Sequence, residues 1–173
     1  MRLIPLAAAA LTLALTAPAA QAQVSGLDLD RFDGRWFEIA RSPNDVQKDC
    51  SRVQIDFTAT DRADRYGLTV TCTRRADGRD ETLRATARID DGNNAKFRFT
   101  LRGALSFGGL AGQNYWVWAH APDYSWAILA LPNKSDWWIW HRSQSPSAAV
   151  RSQILARARQ LGLDTSQVVT TGG

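Results

Sequence analysis

In Ser51-Arg52-Val53-Gln54-Ile55-Asp56-Phe57-Thr58, every step from Arg52 onward switches between a side chain that water accepts and one that it does not. Successive side chains of an extended chain point to opposite faces, so Val53, Ile55 and Phe57 share a dry face while Arg52, Gln54 and Asp56 share a wet one. The next apolar run repeats the pattern: Leu68, Val70 and Cys72 face away from Thr69, Thr71 and Thr73. Between the two runs lies the polar tip Thr60-Asp61-Arg62-Ala63-Asp64, so the pair reads as a hairpin. Pairing Val53 with Val70 and Ile55 with Leu68 leaves Cys50 one residue out of step with Cys72. That mismatch predicts a bulge at Cys50 or a displaced bridge.

Working outward, Leu83, Ala85, Ala87 and Ile89 oppose Thr82, Arg84, Thr86 and Arg88, and Phe97, Phe99 and Leu101 oppose Lys96, Arg98 and Thr100. A slip of one residue would exchange dry and wet faces, so register is well specified. Eight strands are predicted near 35–41, 51–58, 66–74, 81–89, 95–101, 114–120, 125–131 and 136–142, separated by Asp/Asn/Gly/Pro turn signals. Regular short strands without intervening helices point to an all-β antiparallel meander, either a closed barrel or a sandwich. The last three strands, around Tyr115-Trp116-Val117-Trp118, Trp126-Ala127-Ile128-Leu129 and Trp137-Trp138-Ile139-Trp140, are apolar on both faces and need an outer cover. One helix over 146–161 supplies it, with Ser145 as N-cap, Pro146 opening the first turn and Gly162 past the end. Its stripe of Val150, Ile154, Leu155, Ala158 and Leu161 has helical spacing.

Seven Trp in 173 residues is a high count, and indoles need wide buried surfaces. The N-terminal stretch reads as an export signal. Arg2 precedes an apolar run from Leu3 to Leu15, and Ala20-Gln21-Ala22 is a small-x-small cleavage site that makes 1–22 the signal and 23–173 a single domain. The apolar run is shorter than the roughly 20 residues of a bilayer span. With no Cys beside the cleavage site to take a lipid anchor, the expected product is soluble and periplasmic or secreted. In that compartment Cys50 and Cys72 are expected to pair across the hairpin, a closure of about 20 residues that stabilises by roughly 3 kcal/mol. The net charge of +4 is spread among apolar residues without a block of like charge, which argues against nucleic acid as a partner. No nucleophile elbow, zinc-protease motif, phosphate loop or dinucleotide fingerprint occurs, and His120 and His141 are the only histidines. Neither catalytic residues, nor a metal, nor a cofactor are therefore expected.

Gly34-Arg35-Trp36-Phe37-Glu38-Ile39-Ala40-Arg41 resembles the Gly-x-Trp-Tyr-Glu-Ile-Ala-Arg signature that opens the first strand of lipocalins, above all the bacterial branch similar to apolipoprotein D. Pro122-Asp123-Tyr124 is similar to the second motif of that family, with Pro in place of Thr, and Arg142 matches the basic residue of the third. The likeness runs from Leu27 to about Val169. It implies an eight-stranded up-and-down barrel spanning 35–142, with a cavity open at one end and a helix packed outside. It also implies structural roles for Gly34, Trp36, Asp123, Tyr124 and Arg142, with Arg142 lying over the Trp36 indole at the closed end.

If Arg142 sets the parity of its strand, Trp138 and Trp140 point inward and Trp137, Ile139 and His141 point outward under the helix. The expected ligand-binding wall then comprises Trp36, Glu38, Val53, Ile55, Phe57, Leu68 and Val70 from the first three strands. Leu83, Ala85, Ala87, Phe97, Phe99, Tyr115, Val117, Trp138 and Trp140 complete it. Small Ala85 and Ala87 on the inner face favour a hollow interior over a filled one. Glu38 shares Trp36's inward parity, so it needs a partner such as an Arg or a Tyr hydroxyl and could orient a polar head group. The loops at 42–49, 75–80, 102–113 and 132–135 should gather at the open end. Within the third, Leu105, Phe107 and Leu110 sit among glycines and read as a lid that meets the ligand or, transiently, a membrane.

The function this implies is non-enzymatic transport or storage of a small hydrophobic ligand, such as a fatty acid or lysophospholipid. The alternatives are an enzyme on the same barrel, a lipid isomerase or haem-dependent catalyst, and a scavenger of pigments or signalling compounds. The sequence leaves open whether the protein is a monomer or a homodimer, and whether Trp116 and Trp118 lie beneath the helix or in a dimer contact.

Overall fold

The structure, a computed structural model, describes residues 24, 26–90, 92–101 and 113–172. The export signal and the lid residues Leu105, Phe107 and Leu110 lie outside the described residues. Eight antiparallel strands form in chain order: β1 (Gly34–Arg41), β2 (Cys50–Ala59), β3 (Arg65–Arg74), β4 (Asp80–Asp90), β5 (Asn93–Leu101), β6 (Asn114–His120), β7 (Trp126–Ala130) and β8 (Trp137–His141). Each pairs with the next, and β1 pairs with both β8 and β2, so the sheet closes into a barrel. Two helices, α1 (Leu29–Phe32) and α2 (Ala148–Gln160), and a two-residue strand β9 (Val169–Thr170) complete the described chain.

Parity follows the alternation in the sequence, but the β2–β3 register does not follow the expected pairs. Val53 lies opposite Cys72, Ile55 opposite Val70 and Phe57 opposite Leu68, a slip of two residues that keeps the same faces inside. A bulge falls between Cys50 and Arg52. The extra residue, Ser51, turns Cys50 onto the inner face, where it forms a disulfide with Cys72 at a Cα–Cα distance of 5.4 Å.

Two apolar layers result. Inside the barrel, Val53, Ile55, Phe57, Phe97, Val117, Trp138 and Trp140 belong to one core. Outside, Ile39 of β1 and Ile128, Trp137 and Ile139 of the doubly apolar strands pack against Ile154 and Ala158 of α2 and against Leu161, its C-cap. Trp118 belongs to this outer layer, with the Lys134 ammonium 4.4 Å from its ring centroid. Trp116 flanks it under Lys96. α2 begins two residues later than expected: Ser147, not Ser145, is the N-cap, its hydroxyl accepting from the Val150 amide. At the other end Gly162 takes φ +79°, its amide bonds to the Arg159 carbonyl and that of Leu163 to Ala158, a Schellman closure.

The expectation of a single helix is corrected by α1. It is one turn long, capped by Asp28, whose carboxylate accepts from the Arg31 amide, and too short to show helical periodicity. It drops Phe32, fully buried, into the closed end of the barrel. The Phe32 ring lies 4.9 Å from Trp36, 5.3 Å from Phe57, 6.1 Å from Phe97 and 6.2 Å from Trp140 between centroids. The Trp36 indole N–H donates to the Phe32 carbonyl at 2.9 Å, which satisfies that buried donor within the aromatic plug.

Arg142 fastens the plug from outside. Its guanidinium lies 3.6 Å from the Trp36 ring centroid and donates to the carbonyls of Arg31, Asp33 and Arg35 at 2.7–2.9 Å. Gly34 sits under it at φ +99°, where a Cβ would meet the guanidinium at 3.4 Å as well as an unfavourable backbone region. The turn at Asp123 and Tyr124 ties α1 down as well: the Tyr124 hydroxyl accepts from the Asp28 amide at 2.9 Å, and the Asp123 carboxylate accepts from the Ser125 amide.

Candidate functional site

Above the plug the interior is hollow. A cavity of about 130 Å³ opens at the end where the β1–β2, β3–β4 and β7–β8 connections meet. Its wall includes Glu38, Val53, Ile55, Leu68, Val70, Leu83, Ala85, Phe99, Tyr115, Trp138 and Trp140, all on the inward parity read from the sequence. Outward it shares Val46, Cys50, Cys72 and Glu81 with a polar vestibule of about 290 Å³ that also touches Asp45, Asp49 and Arg74.

Trp36, Phe57, Ala87, Phe97 and Val117 point inward but do not line this space. Trp36, Phe57 and Phe97 are consumed in packing around Phe32, and Ala87 and Val117 are fully buried in the same core. The expected wall was too deep because α1 was not foreseen. Conversely, Val46, Gln47, Cys50, Cys72, Glu81, Thr82 and Leu129 line the cavity although the sequence reading did not place them there. Cys50 comes inward through the Ser51 bulge, and Val46 and Gln47 belong to a loop without a period to read.

One corner of the wall is polar. Glu38 is 1% exposed. Its carboxylate accepts from the Gln47 side chain at 2.7 Å and from the Thr171 hydroxyl at 3.5 Å, and lies 3.5 Å from Nε of Arg41. Gln47 is held in turn. Its side-chain carbonyl accepts from the Trp138 indole at 2.8 Å and from Asn44 at 3.2 Å, and its backbone carbonyl accepts from Arg41. Burial pushes the Glu38 pKa from 4.5 up to about 7, against the opposing pull of Arg41 and of the hydrogen bonds from Gln47 and Thr171.

Arg41 is the residue whose place the alternation misassigns. A register shift between Glu38 and Ala40 puts both Ile39 and Ala40 in the outer layer, so Arg41 rejoins Glu38 on the inner side. The same shift splits the barrel seam. Residues 34–38 of β1 pair with β2, whereas Ala40 and Arg41 pair with Thr170 and Val169 of β9. The chain end fills the gap: Thr171 donates its hydroxyl to the Glu38 carbonyl at 2.6 Å, and the Gly172 amide reaches Ser51. Burial lowers the Arg41 pKa, with Glu38 opposing and Arg75 adding to the effect. Two of its nitrogens, Nε and Nη1, are buried without a hydrogen-bond partner. The Tyr115 hydroxyl, on a side chain that lines the cavity, is likewise buried and unpartnered, and burial raises its pKa.

Among the described residues no cluster of His, Cys, Asp and Glu is arranged to hold a metal ion, and no helix is long and apolar enough to cross a membrane. The site is a space with an oily wall and one buried polar corner.

The described barrel agrees with comparisons to known proteins. The lipocalin-like domain family matches residues 27–172. The outer membrane lipoprotein Blc of Escherichia coli is 31% identical over an alignment of 185 positions, covering 98% of this chain and 96% of Blc. Temperature-induced lipocalin-1 of Arabidopsis thaliana is 28% identical over 151, covering 86% and 80%. Among solved structures, insecticyanin from the tobacco hornworm Manduca sexta superposes with a TM-score of 0.67 at 18% identity, over 87% of this chain and 82% of its own. The motif resemblance, the closed eight-stranded barrel and the family match agree, and the chain belongs to the lipocalin family.

Proposed function

We propose that the protein is a non-enzymatic carrier of a single-chain lipid, a fatty acid or a lysophospholipid, outside the cytoplasmic membrane. The observation that carries this reading is the apolar cavity above the aromatic plug, open at one end only and continuous with a polar vestibule. An apolar void of about 150 Å³ takes a molecule the size of benzene, so a cavity of about 130 Å³ suits a chain end of roughly six carbons. Burying about six methylenes at about 0.8 kcal/mol each supplies about 5 kcal/mol before ordering costs. That alone gives a dissociation constant of roughly 0.2 mM, so useful affinity requires a further contribution from the head group. A ligand that is half enclosed is also a ligand that can leave, which a carrier needs. The disulfide and the export signal are consistent with an oxidising compartment.

The test is native mass spectrometry of the purified protein with extraction of any retained lipid, followed by titration with fatty acids of increasing length read by tryptophan emission. Trp138 and Trp140 stand in the wall and report occupancy. Affinity is expected to rise with chain length until the chain fills the cavity and then to level off. No retained lipid and no emission change across the series would contradict the reading.

A further inference from the structure

We propose that the corner formed by Glu38, Gln47 and Arg41 is a subsite for the carboxylate of an acidic lipid, which enters together with one proton that settles on Glu38. This rests on the carrier reading above and specifies its ligand.

Arg41 is buried to 1% exposure and keeps two N–H groups without partners, and its one ion-pair partner, Glu38, stands 3.5 Å away. A buried guanidinium with unmade hydrogen bonds favours additional negative charge close by. Glu38 is also the carboxyl that lines the cavity in this corner, beside Gln47, whereas Arg41 stands behind the wall. A second carboxylate brought against Glu38 would place two negative charges side by side, which is not tolerated in a low-dielectric site unless they share a proton. With a proton on Glu38, its O–H donates to the incoming carboxylate, and the pair carries a single negative charge opposite the single positive charge of Arg41. Atoms and charge balance: lipid carboxylate plus one solvent proton gives the neutral Glu38 acid hydrogen-bonded to the bound anion.

The surroundings favour that proton. Glu38 already holds its proton unusually well, at a pKa of about 7, because burial outweighs Arg41 and the hydrogen bonds it receives. The elements packed against it bring few competing charges. β2 and β8 present Val53 and Trp140 opposite it, and the chain end presents Thr171. Arg75, after β3, acts on Arg41. Glu81 of β4 lies at the mouth, paired with Arg74 at 2.6 Å. Burial and, to a smaller extent, Asp136, which lies before β8 and accepts from Ser42, raise the pKa of Tyr115, which therefore stays a donor throughout the neutral range.

Tyr115 is the independent sign that a polar ligand atom belongs here. Its hydroxyl is buried and unpartnered, on a ring 5.0 Å from Trp138, whose indole N–H holds Gln47 against Glu38. An apolar chain alone would leave that hydroxyl unsatisfied, whereas a polar ligand atom within its reach would give it a partner.

The experiment compares dodecanoic acid with its methyl ester by calorimetry and tryptophan emission, from pH 6 to 9, in buffers of different ionisation enthalpy. For the acid, affinity is expected to fall about tenfold per pH unit above pH 7 to 8, with close to one proton taken up per molecule bound. For the ester no proton uptake and no pH slope are expected. In E38Q, the acid is expected to bind without proton uptake. Three results would overturn the proposal: no proton uptake by the wild type with the acid, equal pH slopes for acid and ester, or a proton still taken up by folded E38Q. The last would mean that the lipid itself is protonated on burial. If acid and ester bind equally at every pH, the carrier reading survives and only the head-group assignment fails. If neither binds, the carrier reading falls with it. Should E38Q not fold, the acid–ester comparison on the wild type decides alone.

Discussion

Raising the pH from 5 to 8 is expected to weaken the ligand-free protein through one side chain, and replacing Glu38 with Gln is expected to remove that part of the slope. The Glu38 carboxyl is raised from 4.5 to about 7 by burial. Between those values the folded protein holds a proton that the unfolded chain has released, so its contribution to stability is fully present below pH 4.5. It is lost as pH rises through 7. The gap corresponds to about 3 kcal/mol. With an unfolding entropy of about 2.1 cal/mol/K per residue over the mature domain, that is roughly a 10 °C fall in Tm. His141 works in the opposite direction, because burial lowers its pKa and so folding favours its neutral form. The difference between wild type and E38Q cancels His141, which is common to both. Asp123 and Asp164 are held below the usual carboxylate range by hydrogen bonds from Ser125 and Ser166. The assay is urea unfolding followed by tryptophan emission at half-unit pH intervals. The stability difference between the two proteins is therefore expected to change across this range, with the wild type losing ground as pH rises. The reasoning is refuted if the two stability curves stay parallel from pH 5 to 8.

Arg142→Ala removes a guanidinium stacked on Trp36 and three hydrogen bonds to carbonyls, and is expected to cost about 2–4 kcal/mol in urea unfolding. A loss below about 0.5 kcal/mol would show that the plug holds without its clasp. Reducing the Cys50–Cys72 bridge, or replacing both cysteines with Ser, reopens a closure of 22 residues and is expected to cost about 3 kcal/mol in guanidinium titrations with and without reductant. Equal midpoints in the two titrations would contradict this. Ala85→Phe puts a ring into the cavity wall and is expected to weaken dodecanoic acid binding at least tenfold, with Tm unchanged or higher. Undiminished affinity would place the lipid elsewhere.

The strands were legible because alternation with period two survives wherever one face is buried, and here it identified every strand of the barrel. The same property explains the β2–β3 error. Shifting Val53 from Val70 to Cys72 moves the register by two and leaves every face unchanged, so hydrophobicity alone cannot choose between them. The cover of α2 was legible in the stripe through Ile154 and Ala158, but Ser145-Pro146-Ser147 offers two plausible caps and the structure uses the second. What escaped the sequence is irregular. The turn that inserts Phe32 has no period, and its absence from the reading pushed the expected binding wall down onto Trp36, Phe57 and Phe97. The bulge after Glu38 reversed the parity of Arg41 and so concealed the partner that Glu38 was expected to need. The β9 residues that seal the split seam are two in number, too few for any pattern.

The most direct test of an oily, hollow barrel is a crystal structure of the protein soaked with a fatty acid carrying a terminal bromine, read by anomalous scattering. The account predicts a single bromine peak above the plug, ringed by Ile55, Leu68, Ala85 and Phe99, with the chain running toward Gln47 and Glu38. An empty barrel, or bromine found on its outer surface alone, would contradict it.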